Sequence, residues 1–411
     1  MHGIRREKFT VSSEEQKERK RQEREKKLQA FKAWSSAVLT KNKAEIFDDE
    51  GLDLSEKLLS ANPDAYSFWN YRRRLFEARR TVKITQEAST TSSLTPEEVT
   101  LFLKEAAIIP ENGYQIKAIL PHQACVLFSQ EENALCFAKD HANNPRGWKI
   151  EMLCTGSTSL QTLYQQELSL TEASIEKNPK SYSAWHQRCW ILSRMSAPDY
   201  ARELQLCEHA LKLDSRNFHC WDYRRFVCKL AQISPEKELE YSLEKVKEDF
   251  SNYSAWHYRS TLLPKLHPAQ NPALPISTAE LVRELELVRN AFYTDPEDQS
   301  AWFYSRWLTQ AKETGTRKEK EKGLTPELTT AIEAVLTDCN ALIAEESEAV
   351  AKWPLLIATV CMRRLDAASG EGVKKFKSEI EANLTRLANM DKLRQNFYVE
   401  ILEEYRREME G

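Results

Sequence analysis

The chain has 411 residues, of which 41% are hydrophobic and 29% charged, and its formal net charge at pH 7 is −3. This composition can bury a core, and the near-neutral charge favours neither nucleic acid nor an anionic membrane as a partner. Only 10 glycines and 15 prolines are present, which is few for the many tight turns of sandwiches, propellers or doubly wound sheets. We therefore expect a mostly helical protein.

Residues 1–45 form the first predicted region, a charged helical segment. Lysine and arginine alternate with glutamate along residues 12–27, and Leu28, Phe31 and Trp34 then add an apolar edge. A purely basic run would suggest an arm that binds nucleic acid, but the interspersed glutamates favour a solvated helix.

Five tryptophans recur in one local frame and define an internal repeat. They are Trp69, Trp185, Trp221, Trp256 and Trp302. An aromatic residue lies three positions before the tryptophan in four of these frames, and an arginine follows it three or four positions later. Asparagine or aspartate stands seven residues before each tryptophan, where we predict a helix N-cap: Asn62, Asn178, Asp214, Asp249 and Asp295.

The frames predict antiparallel helical hairpins. A second amphipathic segment lies upstream of each capped helix, so a unit of about 35 residues contains two helices. The predicted fold class is all-α, an α-α superhelix or right-handed solenoid, with a repeat domain at residues 46–105 and 166–365 and further helices at 366–411. The five tryptophans are predicted to be structural, because an aromatic stripe at helical spacing is usually core between repeats.

Residues 106–165 interrupt the repeat. They separate the first two frames by about 81 residues more than one repeat length and show little helical period. We expect an irregular insertion, either a disordered loop or an error of the gene model. A peptide map that runs directly from Glu105 to Glu167 would show the error.

The nine cysteines are scattered and form no C-x-x-C pair, which argues against a disulfide framework. The N-terminus is charged rather than apolar, and the longest apolar stretch, near residues 353–362, is too short to span a bilayer. We expect a cytoplasmic protein without a membrane span. The residues alone show no catalytic motif, and they favour a scaffold.

The repeat resembles that of the α-subunits of protein prenyltransferases. The residues that carry this resemblance are the N-terminal M-H-G-I-R-R, N-P-K-S-Y-S-A-W (178–185), D-S-R-N-F-H-C-W (214–221) and T-D-P-E-D-Q-S-A-W (294–302). The sequence is most similar to the α-subunits of Rab geranylgeranyltransferases. The similarity extends over residues 1–105 and 166–365 and leaves out the insertion.

The resemblance implies one half of a heterodimeric enzyme that is inactive alone. A β-subunit would hold the zinc and the lipid pocket, and this chain would bind no cofactor itself. The implied reaction transfers geranylgeranyl from its diphosphate to C-terminal cysteines of Rab GTPases presented by an escort protein. Two alternatives stay open: an α-subunit shared by farnesyltransferase and type I geranylgeranyltransferase, or a non-enzymatic scaffold like the tetratricopeptide proteins.

The same resemblance implies the site residues. Lys180, expected at the second position of a capped helix, would stabilise the charge that develops on the leaving diphosphate. Tyr182 is expected to turn its ring to the core and its hydroxyl to the same pocket. Asn217 and His219 would line the substrate-binding rim. His2 would be a transient ligand of the partner's zinc.

Overall fold

The computed structural model describes residues 14–86, 93–105, 114–120, 122–144, 146–154, 158–309, 324–368 and 375–410. The chain divides into a first unit that ends at Asp199 and a second unit that begins at Tyr200. No helix in these ranges is both long enough and apolar enough to cross a bilayer.

The first unit contains helical hairpins and a small sheet. Its elements are α1 (Glu14–Lys43), α2 (Asp49–Ala61), α3 (Tyr66–Ala78), β1 (Thr81–Thr85), α4 (Pro96–Glu105), β2 (Tyr114–Leu120), β3 (Gln123–Phe128), α5 (Glu131–Asp140), β4 (Lys149–Met152), α6 (Leu160–Lys177) and α7 (Tyr182–Leu192). Helix α2 pairs with α3, α6 pairs with α7, and the two hairpins pack side by side.

The second unit is built from helical hairpins. Its elements are α8 (Tyr200–Leu213), α9 (Phe218–Leu230), α10 (Pro235–Glu248), α11 (Tyr253–Leu266), α12 (Thr278–Phe292), α13 (Gln299–Thr309), α14 (Pro326–Glu345), α15 (Glu348–Ala368), α16 (Lys377–Met390), a 3₁₀ turn (Lys392–Arg394) and α17 (Gln395–Glu410). Consecutive helices pair in the order α8–α9, α10–α11, α12–α13, α14–α15 and α16–α17. The predicted all-α superhelix class is confirmed for the bulk of the chain.

The predicted N-caps are wrong in position. Asn62, Asn178 and Asp249 are the C-caps of α2, α6 and α10. The side chain of each closes the turn: Asn178 Oδ1, for example, accepts from the backbone N–H two residues later at 3.2 Å. The N-cap of the second helix stands four residues before the tryptophan, and Ser181 is one instance. In the turns before α7, α9 and α11, the polar residue nearer the helix reaches its free amides. The turn before α3 has Ala65 as its N-cap and no such bond.

Each repeat tryptophan fastens its helix to this turn. Its indole Nε1 donates to the backbone carbonyl six residues earlier at 2.8–3.0 Å in all five frames. All five side chains are buried, with at most 4% of their surface exposed. The tryptophan thus supplies apolar packing. Its N–H also satisfies a backbone carbonyl of the turn that would otherwise need water as its hydrogen-bond partner.

Buried glutamates link one hairpin to the next. A glutamate stands eighteen residues before the tryptophan in four frames: Glu167, Glu203, Glu238 and Glu284. Glu284 accepts from Arg259 of the preceding hairpin at 2.5 and 2.7 Å and from Tyr304 of its own hairpin at 2.5 Å. Glu167 and Glu238 bind Arg72 and Arg224 in the same way. This spacing was not among the features predicted from the sequence.

The insertion is a folded α/β element, contrary to the irregular segment expected at residues 106–165. Strands β2-β3-β1-β4 form one antiparallel sheet in that order, and the chain order β-α-β-β-α-β is that of a split βαβ fold. Helices α4 and α5 cover one face, where Val82, Val126, Phe102, Phe137 and Trp148 form a buried core. The element begins with β1, within the predicted repeat domain, and ends before α6.

The two ends of the insertion meet. Arg79 Nη2 donates to the carbonyl of Thr158 at 2.5 Å, and the same guanidinium pairs with Glu131 of α5 at 2.7 Å. Glu131 also accepts from the backbone N–H of Leu160 at 2.7 Å, at the start of α6. The α/β element therefore fits between two adjacent hairpins without separating them.

Candidate functional site

The turn between α6 and α7 carries the first candidate residue. Lys180 lies one residue before the N-cap Ser181, and not at the second position of the helix as predicted. The side chain is exposed, and within the described ranges no carboxylate or other acceptor pairs with its ammonium. It stands at the positive end of the α7 dipole, so this turn offers a charge and a partial charge to an anion.

Tyr182 is the first residue of α7, and the expectation that its ring faces the core is wrong. Its side chain is 69% exposed, and the corresponding aromatics Tyr66, Phe218 and Tyr253 are 67%, 49% and 49% exposed. A residue in the first turn has no preceding turn of its own helix to pack upon, and the tryptophan three residues later fills the buried position. The second helices therefore begin with exposed rings, on which a partner or substrate can pack.

Asn217 and His219 occupy the equivalent turn of the second unit. Asn217 is the N-cap of α9, and its side-chain oxygen accepts from the backbone amides of His219 at 3.1 Å and Cys220 at 3.3 Å. Its exposed fraction is only 2%, and that of His219 is 7%. The His219 ring lies against the Phe218 ring at a centroid distance of 4.0 Å. Asn217 thus shapes the helix start, and a substrate-binding role for either residue stays a prediction.

His2 lies outside the described residues. Within them, no group of three or more histidine, cysteine, aspartate or glutamate side chains is placed to hold a metal ion.

Sequence reasoning missed Arg73 of α3. Its guanidinium donates from Nε to Gln187 Oε1 at 2.6 Å, and its Nη2 lies 3.1 Å from Nδ1 of His186 on α7. Burial and the Arg73 charge lower the pKa of His186 below its ordinary value. The signal for this residue in the sequence is the run of arginines at 72–74. Within that run, Arg72 is already paired with the buried Glu167.

The repeats match a known family of protein repeats. A model described as the protein prenyltransferase alpha subunit repeat matches residues 48–79, 164–195, 200–231, 235–266 and 281–312. These ranges coincide with the hairpins and pass over the α/β insertion.

Curated relatives match along most of the chain. Geranylgeranyl transferase type-2 subunit alpha of Mus musculus is 39% identical over 299 residues, which are 72% of this chain and 40% of the relative. The Dictyostelium discoideum protein of the same name is 31% identical over 242 residues, 59% of this chain and 71% of the relative. The chain thus spans about 40% of the length of the mammalian relatives.

The fold also has a solved counterpart. A chain of the structure "Candida albicans protein geranylgeranyltransferase-I complexed with GGPP" matches with a TM-score of 0.51 at 16% identity, covering 91% of this chain and 90% of its own. At this identity the likeness concerns the fold alone.

Proposed function

The chain belongs to the family of geranylgeranyl transferase type-2 α-subunits, and on that premise we propose that it is the α-subunit of a Rab geranylgeranyltransferase. The proposed heterodimer transfers geranylgeranyl from geranylgeranyl diphosphate to C-terminal cysteines of Rab GTPases, which an escort protein presents in the cytoplasm. The β-subunit would hold the zinc that activates the acceptor thiol. Alone, the chain would be inactive.

The observation that carries the proposal is the Lys180 ammonium, which pairs with no described residue and lies on an exposed turn of a family repeat. Negative charge accumulates on the leaving diphosphate as the allylic carbon–oxygen bond breaks. A preorganised cation next to that oxygen stabilises the transition state more than the ground state. The positive end of α7 supplements the ammonium, and the exposed Tyr182 would pack beside the bound lipid diphosphate.

The test is reconstitution. The chain is expressed alone and together with a prenyltransferase β-subunit, and each preparation is assayed for transfer of labelled geranylgeranyl to a Rab protein with escort protein present. We expect a stoichiometric heterodimer and activity in the co-expressed sample only. Transfer by the chain alone would contradict the proposal that catalysis needs both subunits, and failure to form a heterodimer would favour the alternative of a non-enzymatic scaffold.

A second acceptor separates the sister families. A free C-a-a-X peptide is offered to the same heterodimer without escort protein. We expect little modification of this peptide. Efficient modification would move the assignment to the α-subunit shared by farnesyltransferase and type I geranylgeranyltransferase.

A further inference from the structure

Three arginines of the first unit form a cluster in which no guanidinium pairs with a carboxylate of the described residues. The arginine cluster consists of Arg73, Arg80 and Arg194. Neighbouring arginines of the same unit behave differently, because Arg72 pairs with Glu167 at 2.5 Å and Arg79 pairs with Glu131 at 2.7 Å. The cluster therefore differs from these two buried arginines of the same unit, each of which has a carboxylate partner.

The indole of Trp190, at the end of α7, brings two members of the cluster together. The guanidinium carbon of Arg194 lies 4.0 Å from the ring centroid and that of Arg73 lies 5.7 Å from it. The two charges are therefore no more than about 10 Å apart. Such contacts with an aromatic ring hold a guanidinium in place but leave its charge uncompensated.

Among the described residues, the hydrogen-bond partners of the cluster are uncharged. Arg194 donates to the Trp190 carbonyl at 3.2 Å, and Arg80 donates to the Ser129 carbonyl at 2.8 Å. Arg80 is 9% exposed, and its Nε is buried without a partner in the described chain. The buried hydroxyl of Tyr164 likewise lacks one there. Both buried groups thus retain unused hydrogen-bonding capacity, which is unusual in a packed protein.

The three charges also repel one another. Burial and the Arg194 charge lower the pKa of Arg73, and burial and the Arg80 charge lower the pKa of Arg194. Glu167 and Glu77 oppose the shift of Arg73, and Glu77 also opposes that of Arg194, but neither carboxylate forms an ion pair with these side chains in the described chain. Glu167 is already paired with Arg72. Glu77 is then the carboxylate left to face three guanidinium groups, which gives an excess of two positive charges.

We propose that the arginine cluster binds a phosphate-type dianion, with Arg73 and Arg194 as its accessible donors and Arg80 as the buried charge behind them. The planar fork of a guanidinium matches two phosphate oxygens, and a dianion balances the excess charge. The site is distinct from Lys180. Arg194 lies beyond the far end of α7, whose 11 residues span roughly 16 Å. Arg73 contacts α7 at His186 and Gln187, which lie roughly 9–10 Å along the chain axis from Lys180.

Calorimetric titration of the full chain with inorganic phosphate and with pyrophosphate tests the site. We expect saturable binding that R73Q/R194Q weakens at least about ten-fold, whereas the exposed-site variant R283Q leaves it within about two-fold. Absence of saturable binding to the wild-type chain, or unchanged binding by R73Q/R194Q, would overturn the proposal. A phosphoserine peptide in a parallel titration shows whether the ligand is free phosphate or a phosphorylated segment, and binding of either supports the site.

A second measurement does not depend on variants that fold. The wild-type chain is treated with phenylglyoxal, which modifies accessible arginines, with and without phosphate, and the modified positions are mapped by mass spectrometry. We expect phosphate to slow modification of Arg73 and Arg194 several-fold and to leave Arg283 unaffected. Equal protection of all three positions, or of none, would contradict a specific site.

Discussion

Lys180 differs from its neighbour Lys177 in what its ammonium contacts. Lys177 Nζ donates to the carbonyls of Ser60 and Ala61 at the end of α2, at 2.6 and 2.9 Å, whereas the Lys180 ammonium has no such partner among the described residues. Lys180→Ala should therefore slow single-turnover transfer by the heterodimer roughly 100- to 1000-fold, the equivalent of ~2.7–4 kcal/mol. The melting temperature should barely change.

Lys177→Ala is the matched control, because it should lower the melting temperature and leave transfer nearly unchanged. Lys180→Arg should restore activity only in part, since a planar fork does not reproduce a point charge. Wild-type transfer by the Lys180→Ala heterodimer would show that Lys180 is a surface residue without a catalytic role.

Gly51 occupies the position in the first frame that the other four fill with glutamate. A Cβ built on it would lie 1.9 Å from the hydroxyl oxygen of Tyr71, which donates to the Ile46 carbonyl at 2.9 Å. Gly51→Ala should therefore destabilise the fold by about 1–3 kcal/mol, although alanine is the better helix former by about 1 kcal/mol. Chemical denaturation measures the change. Adding Tyr71→Phe should recover part of it, and a stabilised Gly51→Ala variant would contradict the close packing.

The buried Tyr71 hydroxyl should make the stability of the fold sensitive to alkaline pH. Burial, followed by the charge of Asp48, raises the pKa of Tyr71 to about 12. The unfolded chain loses this proton near pH 10, so the stabilisation is complete below pH 10 and is lost as the pH rises toward 12. Between pH 10 and pH 12 the free energy of unfolding of the wild-type chain should fall by about 2–3 kcal/mol more than that of Tyr71→Phe. Chemical denaturation at pH 9 and at pH 12 measures this. The same difference in unfolding free energy between the two proteins at both pH values would refute it.

At the level of the helical hairpins, a shared carboxylate couples neighbours. Glu284 is buried between Arg259 and Tyr304, and Glu284→Gln leaves the guanidinium without its counter-charge. We expect a loss of about 3–5 kcal/mol in the free energy of unfolding, because the remaining charge stays buried. Glu286→Gln, exposed on the same helix, should change it by less than about 0.5 kcal/mol. Equal effects of the two variants in urea denaturation would show that the carboxylate is not essential.

The sequence predicts the hairpins well because their period is carried by large side chains. Trp185 and its counterparts mark the second helix of each of the five hairpins that carry the repeat, since a buried indole needs one fixed place in each repeat. The pattern is weaker at the turns, where Asn178 and Ser181 are both competent caps and only the backbone path selects between them. Strands β1 and β3 escape a search for helical period because their apolar residues alternate in steps of two.

The candidate site is less predictable for a related reason. The exposure of Tyr182 depends on where α7 begins, and this boundary shifts by a few residues if Asn178 is taken as the N-cap. The partners of the buried glutamates lie in a neighbouring hairpin, with Arg72 and Glu167 being 95 positions apart. No local pattern contains such a pair, although the constant eighteen-residue spacing before the tryptophan could have indicated it.

For the whole molecule, the adjoining ends of the α/β insertion predict that it can be removed. Replacing residues 81–157 by a short Gly-Ser linker should preserve the hairpins and heterodimer formation, because Arg79 and Thr158 are already in contact. Arg79 loses Glu131, so a lower melting temperature is expected. Circular dichroism and co-purification with the β-subunit measure the outcome. An aggregated or unpaired product would show that the insertion is part of the repeat scaffold.

The five indole hydrogen bonds give the chain a set of internal reporters. Each of these protons is fixed to a turn carbonyl of its own repeat, so it exchanges with deuterium only when that turn opens. Indole resonances lie apart from the amide envelope in a nuclear magnetic resonance spectrum and can be followed one by one. The order in which they disappear would rank the hairpins by local stability, and it would identify the repeat from which the solenoid begins to unravel.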